Sequence, residues 1–182
     1  MYALLALLAA AWLLHRTERH GWAAPAALLL AAWAGTTLPD LDLLLGLGHR
    51  SGLTHSVLPA ALCWRRRWWM VAAGLLLGIG LHLAADLFPN AMRGFALIKL
   101  PGAGAIGRDA TYGWLGANVM LAFAGGMLLT TRSLPARLAA PVLGAVALVG
   151  VAYLFRTDGG WVPLILSAGA GALWVRRHRR SQ

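Results

Sequence analysis

Long apolar runs, separated by short polar stretches, set the pattern of the chain. The alternation of apolar and polar residues that is typical of strands in soluble sheets is missing, and the runs are long enough for helices. We predict seven helical segments, which are Tyr2–Leu14, Trp22–Leu38, Thr54–Trp64, Trp68–Phe88, Gly113–Thr130, Ala136–Phe155 and Trp161–Val175. Several are shorter than the roughly 20 residues that cross a bilayer. The expected fold class is therefore an all-α, polytopic transmembrane helix bundle with about six to seven membrane segments, some of them short.

Composition supports a membrane protein. Of the 182 residues, 59% are hydrophobic and 12% are charged, and soluble domains have roughly 25% charged residues. The formal net charge of +10 could point to nucleic acid. The basic residues, however, lie in short clusters between the apolar runs, as residues that flank membrane helices do. We therefore expect a lipid bilayer as the partner and no nucleic acid.

One integral membrane domain is expected to cover residues 1–182. Polar motifs lie between about residues 35 and 112, helices that only pack follow over 113–175, and a basic tail covers 176–182. Residues 90–112 contain glycine and proline and are typical of a loop that could cover a site. The first segment has the length of a signal-peptide core. No basic residue precedes it and no small-x-small site closes it, so we expect a retained helix.

The placement of arginine predicts the topology. With seven segments, one side of the membrane carries 11 of the 16 basic residues, namely Arg16, Arg19, Arg65, Arg66, Arg67, Arg132, Arg137, Arg176, Arg177, Arg179 and Arg180. The positive-inside rule places that side in the cytoplasm. We therefore expect an inner-membrane protein whose basic C-terminal tail is cytoplasmic.

Six polar residues interrupt three neighbouring, otherwise apolar stretches, and three of them are acidic and three are histidines. They are Asp40, Asp42, His49, His55, His82 and Asp86. Carboxylates at membrane depth persist when they are paired, protonated or bound to a cation. The predicted topology brings all six toward the extracytoplasmic half of the bilayer. Their convergence on a metal is the central expectation from the sequence.

The spacing within each pair limits how these residues can meet. His82 and Asp86 are four residues apart, so both project from one face of a helix. Asp40 and Asp42 would diverge by about 200° on a helix. They can converge only if Pro39 opens the chain, or if one binds the metal while the other orients a ligand. Nitrogen and oxygen donors without thiolate fit zinc, manganese or iron, and six candidates could hold one or two ions.

Asp42 and Arg50 are candidates for catalysis. Asp42 could act as the general base for an attacking water. Arg50, next to His49, could bind a phosphate oxygen, although an interfacial arginine is an equally good interpretation. Two metal ions would clamp the attacking and leaving oxygens of a phosphoester displacement.

The order of three motifs resembles a known family. The motifs are Leu38-Pro39-Asp40-Leu41-Asp42, Gly48-His49-Arg50-x-x-Leu53-Thr54-His55-Ser56 and Gly80-x-His82-x-x-x-Asp86-x-Phe88-Pro89. They resemble the YdjM/DUF457 family of membrane-bound metal-dependent hydrolases, over about Gly35 to Gly94. The resemblance implies metal-ligand roles for the same six residues. The family is in turn similar to zinc-dependent phospholipase C and S1/P1 nucleases, which are helical and use clustered zinc ions on phosphoesters.

This chain departs from the family pattern at its N-terminus. Family members often carry a histidine there, whereas the chain begins Met1-Tyr2-Ala3-Leu4. One metal position is therefore either missing or filled by another group.

The expected function is a membrane-embedded metal-dependent hydrolase of a phosphoester or lipid. A metal-ion transporter is the first alternative, because intramembrane carboxylates and histidines also mark ion paths. A non-catalytic protein with a structural metal site is the second, and it predicts closed coordination.

Overall fold

The structure is a computed structural model, and it describes residues 2–15, 21–87 and 91–157, with isolated positions between 165 and 177. The predicted segment Trp161–Val175 and the basic tail 176–182 fall largely outside the described residues. Arg16 and Arg19, which contribute to the predicted topology, also lie outside them.

The described part of the chain is mostly helical, as predicted. Its α-helices are α1 (Tyr2–Leu14), α2 (Ala23–Gly35), α3 (Leu58–Ala61), α4 (Trp69–Asp86), α5 (Arg108–Ser133) and α6 (Ala136–Thr157). Short 3₁₀ helices cover Pro39–Asp42, Arg66–Trp68 and Gly94–Ala96. A small antiparallel hairpin pairs β1 (Lys99–Leu100) with β2 (Gly104–Ala105).

Three helical stretches are long and apolar enough to cross a membrane, namely Arg66–Asp86, Arg108–Ser133 and Ala136–Thr157. The first two helices, α1 and α2, are also apolar but have only 13 residues each, which corresponds to about 20 Å. The chain is therefore compatible with membrane integration. The predicted number of six to seven segments stays a prediction.

The third predicted segment, Thr54–Trp64, is helical only over α3. Upstream of α3, polar side chains bond to nearby backbone instead. The hydroxyl of Thr54 donates to the carbonyl of Ser51, and that of Ser56 donates to the carbonyl of Leu53. Such local hydrogen bonds compete with helix formation. The predicted helix was therefore too long, and its first residues form a bend that carries His55.

Helix α4 forms the centre of the bundle, and its residues from Met70 to Ala84 are all buried. A side chain at Gly74 would collide with the backbone carbonyl of Leu28, and one at Gly78 with that of Ala32. Helices α2 and α4 therefore pack backbone to backbone, as small residues at a helix contact permit. On another face, Gly80 lies against the ring of Phe123 in α5.

This packing places the C-terminal end of α4 inside protein rather than against lipid. His82 is 5% exposed. The loop after α4 then folds back over the segment that carries the second motif: the amide of Lys99 donates to the carbonyl of Arg50, and the amide of Gly52 donates to the carbonyl of Lys99. The predicted loop does lie against the residues of the candidate site.

Candidate metal centre

The turn after α2 sends its two aspartates in different directions. Pro39 begins a 3₁₀ helix over Pro39–Asp42. Residues two apart on a 3₁₀ helix, with three residues per turn, diverge by about 240°. Asp42 is accordingly fully buried, whereas the side chain of Asp40 is 53% exposed. Of the two arrangements that the sequence left open, the structure has the one in which the aspartates point apart.

Four side chains from three stretches of the chain meet at the end of α4. Oδ2 of Asp86 lies 3.4 Å from Nε2 of His55 and 3.5 Å from Nε2 of His82. Nε2 of His82 lies 3.7 Å from Oδ1 of Asp40. Among the described residues, the two Nε2 atoms and Oδ2 of Asp86 are buried and have no hydrogen-bond partner.

These distances fit a shared cation better than direct hydrogen bonds. Hydrogen bonds between nitrogen and oxygen are usually 2.7–3.2 Å long. Donor atoms about 2.0–2.2 Å from a tetrahedral zinc ion lie about 3.3–3.6 Å from one another. The group formed by Asp40, His55 and His82 could therefore hold a metal ion, and Asp86 lies at a compatible distance from both imidazoles.

The charge state of His55 also suits a ligand. Burial is the largest cause that lowers the pKa of His55 from its ordinary value of 6.5 to about 4, and charge repulsion from His82 in its protonated form lowers it as well. The ring is therefore neutral at pH 7. A neutral imidazole keeps a lone pair on one nitrogen, which is the form that binds metals.

Each imidazole is held through its other nitrogen. Nδ1 of His55 lies 3.2 Å from the hydroxyl of Thr54 and 3.5 Å from Oδ2 of Asp42. Nδ1 of His82 lies 3.0 Å from the backbone carbonyl of Thr36. A carbonyl can only accept, so this contact places a hydrogen of His82 on Nδ1, and in the neutral ring the lone pair is then on Nε2. Metal-binding histidines almost always donate their second N–H to a carboxylate or carbonyl in this way.

The carbonyl of Thr36 is available because of Pro39. In a 3₁₀ turn this carbonyl would accept from residue 39, and proline has no amide hydrogen. Pro39 therefore leaves this carbonyl as an acceptor for His82.

Arg50 orients Asp86. Its Nη2 donates to Oδ1 of Asp86 at 2.7 Å, and its Nη1 donates to the carbonyl of Ala96 at 2.7 Å. Both of these terminal nitrogens thus contact protein, and the backbone of Arg50 has a φ of +60°. Non-glycine residues in that region are uncommon and often mark constrained functional positions. The ion pair leaves Oδ2 of Asp86 facing the imidazoles.

Asp42 and His49 lie beside the four-residue group. Asp42 approaches His55 from its Nδ1 side, and its Oδ2 also accepts from the amide of Ser51 at 3.0 Å. The ring of His49 is 6.3 Å from that of His55, centroid to centroid. Oδ1 of Asp42 and Nδ1 of His49 are buried, and neither has a hydrogen-bond partner in the described ranges. Metal binding by these two residues stays a prediction.

One residue at the centre was not predicted. The hydroxyl of Tyr153 in α6 lies 3.2 Å from Nδ1 of His82 and 3.4 Å from the carbonyl of Thr36. Its helix carries no motif, and the sequence indicated packing only. The available signal was a single tyrosine in an apolar helix, because a tyrosine hydroxyl that enters a protein interior usually finds a polar partner.

No protein-family model, curated protein or solved structure matches the chain. The resemblance to the YdjM/DUF457 family therefore rests on the motif residues alone.

Proposed function

We propose that the protein is a membrane-embedded, metal-dependent hydrolase that acts on a phosphoester, with a lipid as the favoured substrate. The observation that carries the proposal is the convergence of two buried imidazole nitrogens on Asp86, beside the half-exposed Asp40. Structural metal sites are closed, whereas catalytic sites keep an open position. The exposure of Asp40 leaves one side of this group accessible.

Asp40, His55, His82 and Asp86 would hold the ion. Zinc fits this donor set, and manganese and iron are compatible with it. A divalent ion there would supply Lewis acidity toward a phosphoryl oxygen and would acidify a water molecule. The site would bind one or two ions, and His49 and Asp42 would hold the second.

The residues of the chain have separate tasks in this proposal. His55 and His82 present their Nε2 lone pairs to the ion. Asp42, proposed from the sequence as a general base, lies behind His55, which favours a role in orienting that ring. Asp40 reaches the exposed side of the group, where a carboxylate can accept a proton from an attacking water. Arg50 pairs with Asp86 in this proposal and does not bind the phosphate.

Apolar side chains beside the site favour an amphiphilic substrate. Leu43, Leu44 and Leu45 follow Asp42 directly and are 59%, 78% and 65% exposed. Phe95, which contacts the ring of His49, is 77% exposed. An exposed apolar surface next to polar, metal-binding groups suits a molecule with acyl chains and an anionic headgroup.

The transporter alternative has less support. A path for an ion through the bundle requires polar groups that continue from the centre. The residues of α4 from Met70 to Leu81 are apolar or glycine. The further proposal of an inner-membrane location, with the site in the extracytoplasmic half, rests on the distribution of arginine.

The test is hydrolysis by the full chain purified in detergent. The substrates are bis(4-nitrophenyl) phosphate and mixed phospholipid micelles, each with zinc, manganese or iron(II). We expect metal-dependent turnover of at least one substrate, lost in His55→Ala and kept in His15→Ala. His15 is a matched control because it lies at the end of α1 and contacts Arg67. Inert protein with every metal, or equal turnover in both variants, would reject the hydrolase.

A further inference from the structure

Helix α6 contributes a polar group to the metal centre although no motif marks it. We propose that Tyr153 is a positioning residue that holds the ring of His82 in the orientation that metal binding needs. This inference rests on the proposed metal centre and adds a task for the C-terminal half of the chain.

The three polar atoms form a closed triangle. Nδ1 of His82 lies 3.0 Å from the carbonyl of Thr36 and 3.2 Å from the hydroxyl of Tyr153, and that hydroxyl lies 3.4 Å from the same carbonyl. One arrangement of hydrogens satisfies all three contacts. Nδ1–H donates to the carbonyl and to the tyrosine oxygen, and the tyrosine hydroxyl donates to the carbonyl. A carbonyl oxygen has two lone pairs and can accept both hydrogens.

The carbonyl of Thr36 requires a hydrogen on Nδ1 of His82. In the neutral ring, which is the form that binds a metal, the lone pair is then on Nε2, the nitrogen that faces Asp86 and Asp40. Without the tyrosine hydroxyl, Nδ1 would keep only the bond to Thr36. The ring could then rotate more freely, and its Nε2 would be a weaker donor, because hydrogen bonds to the second nitrogen raise the basicity of a metal-binding histidine.

The triangle also connects three helices. Tyr153 belongs to α6, His82 to α4, and Thr36 follows the end of α2. A tyrosine whose hydroxyl merely needed a partner in an apolar interior would show the same distances. The two interpretations differ in one respect: only a positioning residue changes the metal centre when its hydroxyl is removed.

The experiment is a cobalt(II) titration of the full chain in detergent, followed by the visible absorption of the bound ion. The variants are Tyr153→Phe and, as the control, Tyr112→Phe, which removes a hydroxyl from α5 beside Arg108. We expect Tyr153→Phe to weaken cobalt binding by roughly 10- to 100-fold and to shift its absorption bands. Tyr112→Phe should behave as the wild type.

A second measurement covers the metal-free protein, so that a loss of fold is not mistaken for a loss of positioning. In ¹⁵N-histidine spectra, His82 of the wild type should carry a hydrogen on Nδ1, and Tyr153→Phe should keep that hydrogen but shift the Nδ1 signal, because one hydrogen-bond partner is lost. The melting temperature of Tyr153→Phe should stay near that of Tyr112→Phe. An unchanged cobalt affinity, unchanged bands and an unchanged Nδ1 signal in Tyr153→Phe would overturn the inference and leave the metal centre intact. A wild type that binds no cobalt would overturn both.

Discussion

Nε2 of His82 lies 3.5 Å from Oδ2 of Asp86, one turn further along α4, and within the described ranges neither atom has a hydrogen-bond partner. Two buried polar atoms that face each other beyond hydrogen-bond distance are costly in a low-dielectric interior. A cation between them would remove this cost, and Nε2 of His55 and Oδ1 of Asp40 would complete the set of donors.

Arg50 should contribute to stability mainly in the metal-free protein. Arg50→Gln removes the cation that pairs with the largely buried Asp86, and breaking a buried pair costs about 3–5 kcal/mol. Added zinc should recover part of this loss, because it neutralises the same carboxylate. Chemical unfolding in detergent with and without zinc measures both effects. Arg93→Gln, at an exposed position, should change little, and an equally small effect of Arg50→Gln would refute the role of the ion pair.

Substitution by asparagine should affect protein stability differently at the two aspartates of the 3₁₀ helix. Asp42→Asn removes a buried charge beside Nδ1 of His55, so we expect zinc affinity to fall by roughly 10- to 100-fold through misorientation of the ring. Asp40→Asn, at the exposed side, should reduce affinity with no loss of stability. Zinc titrations and thermal unfolding of both variants test this. Equal stabilities, together with a wild-type affinity in Asp42→Asn, would contradict the orienting role of Asp42.

The contact between α2 and α4 should tolerate no side chain at Gly78. Gly78→Ala places a methyl group against the carbonyl of Ala32, and overpacking of this kind typically costs about 1–3 kcal/mol or more. Gly113→Ala is the control, because no described atom lies within 4 Å of the added carbon and alanine favours helices by about 1 kcal/mol over glycine. The melting temperature should fall for the first variant and hold or rise for the second. The reverse order would show that the helices do not pack as described.

If the substrate is a lipid, the exposed leucines beside Asp42 should matter for lipid and not for a soluble phosphoester. Leu44→Ser with Leu45→Ser should raise KM for phospholipid by roughly tenfold, which corresponds to about 1.4 kcal/mol of lost apolar contact. KM and kcat for bis(4-nitrophenyl) phosphate should not change. A parallel loss on both substrates would indicate damage to the site instead of lost lipid contact.

The sequence predicted which side chains lie at this site, but it did not predict the groups that form hydrogen bonds to them. The spacing of His82 and Asp86 and the divergence of Asp40 and Asp42 follow from helix geometry, and His82, Asp86 and Asp40 do lie together, with Asp42 behind His55. The carbonyl of Thr36 has no signature in the sequence, because every residue has a carbonyl and only the fold at Pro39 makes this one available. Tyr153 is 71 residues from His82 along the chain, so its contribution depends on how α6 packs. For Arg50 the sequence left two interpretations open, a contact with phosphate or a place at the membrane interface, and its pairing with Asp86 depends on the turn at φ +60°.

The metal content per chain of the purified protein, determined by inductively coupled plasma mass spectrometry, tests the proposed metal centre most directly. The proteins compared are the wild type, His82→Ala, Asp86→Ala and the control His15→Ala. The proposed metal centre predicts at least one divalent ion per chain in the wild type and in His15→Ala, and very little bound metal in His82→Ala and Asp86→Ala. The same metal content in all four proteins would contradict it.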